Sequence, residues 1–131
     1  MSDIHAVLYV EDETLVRELV AAGLEDAGYD VAVAENGTAA FDALDNDADP
    51  FCAIVTDVNL GTGPDGWAVA NRARELNQDL PVIYVSGASG HEWRSKGVPH
   101  SIMLTKPFTV AQIVNAISSL MNKVRGNRPN V

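Results

Sequence analysis

Five polar residues stand just beyond short apolar runs. Glu11 and Asp12 follow residues 6–10, Asp57 follows residues 51–56, Ser86 follows residues 82–85 and Lys106 closely follows residues 102–104. Three carboxylates brought to one rim repel each other by about 4 kcal/mol per close pair at 4 Å with an effective dielectric near 20, and one lysine cannot neutralise them. Oxygen donors with excess negative charge suit Mg²⁺, which takes one or two carboxylates directly, keeps several waters and completes its shell with carbonyl or phosphate oxygens. Zinc does not suit this set, because no His or Cys belongs to it, and His5, His91 and His100 follow no metal or triad spacing. A hard cation beside an ammonium and a hydroxyl is the equipment for stabilising a phosphoryl group in transfer. Positioning and charge neutralisation supply most of that catalysis, and a carboxylate can serve as the nucleophile.

For these residues to meet, the apolar runs must be strands of one sheet. Residues 5–10 read as a first strand, with 6–10 too continuously apolar for a half-exposed one. Leu15, Val16, Leu19, Val20, Gly23, Leu24 and Ala27 then recur at helical spacing up to Gly28, which suits the left-handed turn that ends a helix. Tyr29, Val31 and Val33 alternate with Asp30, Ala32 and Ala34 as a more peripheral strand, and Asn36 can cap a helix carrying Ala40, Phe41 and Leu44. An acidic loop over 45–50 leads to a third strand, 51–56, patterned for burial on both faces. Gly61, Gly63 and Pro64 mark an irregular loop before a helix over 66–76, and residues 82–85 form a fourth strand. Gly87, Gly90, Gly97 and Pro99 leave room only for a short helix over 91–96 and predict a mobile segment. After a brief fifth strand at 102–104, Thr109 and Gln112 make a capping box for a last helix with Ile113, Val114, Ala116, Ile117, Leu120 and Met121 inward. Residues 122–131 read as a polar, frayed tail.

Strands alternating with helices predict right-handed crossovers and an α/β fold: one parallel sheet with helices on both faces. Ligands of such sheets collect outside the carboxyl ends of the strands, where strand order reverses. The five polar residues all occupy such ends.

The 131 residues fit a single domain, and 47% hydrophobic with 21% charged residues is too apolar for disorder. No apolar run approaches the roughly 20 residues of a membrane helix, and the start is not the basic beginning of a secretory signal, so a cytoplasmic location is expected. Cys52, alone in an apolar strand, reads as a core residue. A formal charge of −9 argues against a nucleic-acid surface. That charge is polarised: residues 1–65 hold fifteen acids and one base, Arg17, whereas residues 66–131 hold three acids and eight bases. An acidic pocket in the first half and a mildly basic partner surface in the second would follow.

Leu8-Tyr9-Val10-Glu11-Asp12-Glu13, Thr56-Asp57-Val58-Asn59-Leu60, Val85-Ser86-Gly87-Ala88 and Lys106-Pro107-Phe108 together resemble the receiver domain of two-component response regulators. The likeness runs from about residue 4 to 123, leaving 124–131 as tail. It implies a doubly wound, five-stranded, flavodoxin-like sheet in the order 2-1-3-4-5. It also implies that Asp57 accepts a phosphoryl group from a phosphohistidine on a sensor histidine kinase or phosphotransfer protein. By the same likeness Asp12 and Asp57 bind Mg²⁺ directly with the main-chain carbonyl of Asn59, and Glu11 holds it through water. Ser86 and Lys106 contact the phosphoryl oxygens, and Lys106-Pro107 is a cis peptide. Three departures stand out: Met103 replaces a frequent aromatic, the loop after Asp57 is one residue longer than in chemotaxis regulators, and Asn59 and Ala88 supply no carboxylate to orient an attacking water. The last predicts slow to moderate loss of the phosphoryl group.

The expected role is a stand-alone switch reporting to a downstream protein, since residues 107–131 leave no room for a DNA-binding module. Its only chemistry is phosphorylation and dephosphorylation of itself. A phosphorelay intermediate or phosphate sink uses the same chemistry. A phosphatase-like enzyme with an aspartyl nucleophile and a docking-only domain are the competing classes. The basic segment with Arg94 and Lys96 and the last helix, within residues 87–123, is the expected face for a partner or a second copy of the chain.

Overall fold

The computed structural model describes residues 6–46, 51–88 and 90–127. In chain order these form β1 (Ala6–Val10), α1 (Thr14–Asp26), β2 (Asp30–Ala34), α2 (Gly37–Asn46), β3 (Ala53–Asp57), α3 (Gly66–Leu76), β4 (Val82–Ser86), a 3-10 turn (Gly90–Glu92), α4 (Trp93–Lys96), β5 (Ser101–Thr105) and α5 (Val110–Asn127). The strands make one parallel sheet in the order β2-β1-β3-β4-β5. The order reverses between β1 and β3, whose carboxyl ends carry Glu11 and Asp57.

Alternation along each strand feeds two apolar layers. Val7, Tyr9, Val55, Ile83 and Val85 pack with Val20 and Leu24 of α1 and Ile113, Ile117 and Leu120 of α5. Leu8, Val10, Ile54, Val82 and Tyr84 pack with Ala40 of α2 and Trp67, Val69, Ala70 and Ala73 of α3. Burial of all of β3 and β4 matches the continuous apolar patterning. Local signals also act as expected. Asn36 accepts the Ala39 amide at 2.8 Å, Gly28 has φ of 102°, and Thr109 and Gln112 exchange hydrogen bonds at 2.8 and 3.2 Å.

Three expectations fail in detail. Leu15 and Leu19 of α1 are each 74% exposed, because the apolar stripe is wider than the face that Val20 and Leu24 bury. Val33 is half exposed on the edge strand, and the smaller Ala34 is the buried residue at that end. α5 continues to Asn127, past the expected fraying point, because Asn122 and Lys123 are polar without being helix breakers. His5, the acidic stretch at 47–49 and the last four residues lie outside the described residues. No helix among the described residues is long and apolar enough to cross a membrane.

Candidate functional site

β1 ends at Val10, so Glu11 is the first residue beyond the sheet and is fully buried, whereas the following Asp12 is exposed. Asp57 closes β3 and Ser86 closes β4; both are buried. Parallel pairing carries Lys106 to the same rim, with its amide donating to the Ser86 carbonyl at 2.9 Å. The Lys106-Pro107 peptide is cis.

The five side chains expected to meet therefore share one rim. Carboxylate oxygens of Glu11, Asp12 and Asp57 lie within 4.8 Å of one another. Lys106 Nζ is 2.6 Å from Asp57 Oδ2 and 3.8 Å from Glu11 Oε1. The Asn59 amide donates to Asp57 Oδ1 at 3.0 Å, and the Ala88 amide donates to Ser86 Oγ at 3.2 Å. Asn59 itself is exposed. An all-oxygen, mostly buried anionic cluster fits a hard divalent cation and gives no soft ligand for zinc.

Burial pushes the Glu11 carboxyl up to about 7; the Glu13 amide opposes that rise, Asp57 adds to it and Lys106 opposes it. Burial works against the Lys106 charge, but its hydrogen bond and attraction to Asp57, with Glu11 and Glu13 behind, leave its ammonium above the ordinary lysine value. Beside Lys106 a groove of about 570 Å³ runs between α1 and the start of α5, lined by Val16, Leu19, Val20, Phe108 and Val110 among others.

Two neighbours escape a reading by strand ends. Tyr9, expected only as core, brings its hydroxyl to 3.4 Å from Glu11 Oε1, and Arg17 Nη1 donates to the Glu11 carbonyl at 2.8 Å. The two-residue offset of Tyr9 from Glu11 and the isolation of Arg17 among acids were the available signals. Cys52 is partly buried against the α1/α5 layer, and burial pushes its thiol up to about 11. That keeps the thiol protonated and unreactive near neutral pH.

Residues 7–118 match the response regulator receiver domain family. The chain belongs to that family. It is 30% identical over 117 residues to the response regulator receiver protein CpdR of Brucella abortus, covering 88% of this chain and 95% of that protein. It is also 30% identical over 122 residues to the transcriptional regulatory protein CusR of Escherichia coli, covering 89% of this chain and 51% of that one, so the chain spans about half the length of this relative. A crystal structure of a response regulator receiver protein from Sinorhizobium medicae superposes with a TM-score of 0.88 at 38% identity, over 93% of this chain and 98% of that one. Receiver domains act in two-component signalling, and this receiver carries a cluster of three carboxylates that could hold a metal ion.

Proposed function

We propose that this receiver takes a phosphoryl group from a phosphohistidine of a sensor histidine kinase or phosphotransfer protein onto Asp57, and that the modified form changes its affinity for a partner protein. The observation that carries this reading is the meeting of Asp57 Oδ2 with Lys106 Nζ at 2.6 Å inside a cluster of three carboxylates. One Asp57 oxygen attacks phosphorus, the P–N bond to the donor imidazole breaks with its electron pair returning to nitrogen, and an acyl phosphate forms. Hydrolysis of the P–O bond later returns the carboxylate and inorganic phosphate. Glu11, Asp12, Asp57 and the main-chain carbonyl of Asn59 would hold Mg²⁺, which when bound neutralises charge on the acids and the phosphoryl oxygens. Lys106 steadies the acceptor before transfer and then turns its ammonium to the phosphoryl oxygens, where Ser86 Oγ joins it. The apolar groove beside Lys106, with the exposed Leu15 and Leu19, suits the body of a donor protein reaching Asp57.

The output face in this reading is the basic part of residues 87–123, including Arg94 and Lys96, which would take a downstream protein or a second copy of the chain. Nothing in this set of groups calls on nucleic acid or a membrane.

Intact-mass measurement after acetyl phosphate treatment tests the chemistry. One phosphoryl adduct should form with Mg²⁺, fall sharply with a chelator and be absent from Asp57→Asn. An adduct retained by that variant would remove Asp57 from its role.

A further inference from the structure

Glu11 has no solvent exposure, yet three groups outside the carboxylate cluster hold it in place. Its Oε2 accepts from the Glu13 amide at 3.2 Å, its Oε1 faces the Tyr9 hydroxyl at 3.4 Å, and its main-chain carbonyl accepts from Arg17 Nη1 at 2.8 Å. Arg17 is the only base among the first 65 residues. It sits about one turn into α1, with its own amide bonded to the Glu13 carbonyl at 2.9 Å, and its guanidinium folds back to the β1–α1 junction. Tyr9 lies two residues before Glu11, so ring and carboxylate fall on one side of the strand. The ring is buried in the layer of α1 and α5 and carries a single polar atom to the rim.

We propose that Tyr9 and Arg17 are positioning residues that fix Glu11, one through its carboxylate and the other through its main chain, in the orientation used to hold Mg²⁺, a role that rests on the rim binding Mg²⁺ as proposed above. A buried carboxylate without partners turns toward whatever hydrogen bond it can find, and an arriving cation must then reorder it. Partners behind a ligand remove that reordering, and their loss typically lowers metal affinity about 10-fold or more. Arg17 also supplies the second positive charge near a rim whose other cation, Lys106, is engaged with Asp57.

Titration calorimetry with MgCl₂ tests this on the unphosphorylated full chain, with far-UV circular dichroism confirming that each variant is folded. Tyr9→Phe and Arg17→Gln should each raise the Kd for Mg²⁺ about 10-fold, while Arg17→Lys, which keeps charge and a donor, should stay within about threefold of the parent. Placed in a Glu11→Ala background, Tyr9→Phe should have almost no further effect on whatever Mg²⁺ binding remains, because the carboxylate that accepts its hydroxyl is gone. Tyr9→Phe or Arg17→Gln binding Mg²⁺ within twofold of the parent, or a Tyr9→Phe effect undiminished in the Glu11→Ala background, would overturn the positioning role alone. A parent protein that binds no Mg²⁺ would instead overturn the proposed function of the rim.

Discussion

Two glycine-rich connections leave the rim, one after Asp57 and one after Ser86, and they are built differently. After Asp57 the two ends of the connection are tied to each other. The Gly66 amide donates to the Val58 carbonyl at 2.8 Å, and Asp65 caps α3 by accepting the Ala68 amide at 2.9 Å. A Cβ at Gly66 would stand 2.2 Å from the Asp57 carbonyl oxygen, so glycine is there for room. After Ser86 the near end is open: a Cβ at Gly87 or Gly90 would find its nearest neighbour at 4.0 Å, on Lys106 and Met103 respectively. The far end is tied again. The Val98 amide bonds to the Tyr84 hydroxyl at 3.0 Å, Trp93 Nε1 bonds to Ser101 Oγ at 2.9 Å, and Arg74 donates to the carbonyls of Leu80, Pro99 and His100 at 2.8, 2.5 and 3.0 Å. A segment expected to be mobile throughout is thus anchored at the end away from the site, which leaves Gly87, Ala88 and Gly90–Glu92 as the described residues with room to respond.

The sharpest break of that contrast is a methyl group. Gly66→Ala should lose about 3 kcal/mol of stability through collision with the Asp57 main chain and should abolish labelling by acetyl phosphate. Gly87→Ala should change stability by less than about 0.5 kcal/mol; equal effects in urea denaturation would erase the distinction. At the rim that both connections leave, the buried Glu11 also brings a pH dependence. Its carboxyl is pushed up to about 7, so the fold binds that proton more tightly than the unfolded chain does. The stability this group contributes is greatest at and below its ordinary range and is lost as pH rises through 7. Metal-free parent protein should therefore lose on the order of 2 kcal/mol between pH 5 and 8 relative to Glu11→Gln, measured by denaturation in the presence of a chelator.

On the other connection, Arg74→Gln strands three carbonyl acceptors and should cost about 2 kcal/mol, with amide exchange at 97–101 rising toward that of 90–96. The smallest expected effect is the most specific. A phosphate mimic at Asp57 should change exchange across 87–96 while leaving 97–101 within experimental scatter, and a uniform change over both would show that the anchor does not divide the segment.

All five strands are legible in the sequence because each is a short apolar run bounded by turn residues, and the rim is legible because a polar side chain directly after such a run must emerge at the sheet edge. Leu15 and Leu19 mislead because helical spacing defines a stripe, and only the neighbouring α5 decides how much of its width is covered. Tyr9 hides because apolar patterning counts its ring and ignores its hydroxyl. Arg74 leaves no local trace: its carbonyl partners at Pro99 and His100 lie 25 and 26 residues away, and hydrogen bonds at that distance follow from the fold without shaping any nearby pattern.

Lys106 directly follows the last strand, β5, whereas the acids it balances stand at the carboxyl ends of β1 and β3. During synthesis the three carboxylates are therefore made long before their counter-charge emerges. A chain arrested before residue 106 carries the acceptor and its anionic neighbours without the ammonium that pairs with Asp57, and a protease cut anywhere between β3 and β5 separates the two halves of that pair. The rim is thereby a property of the finished sheet, and no excised piece of it should be open to labelling.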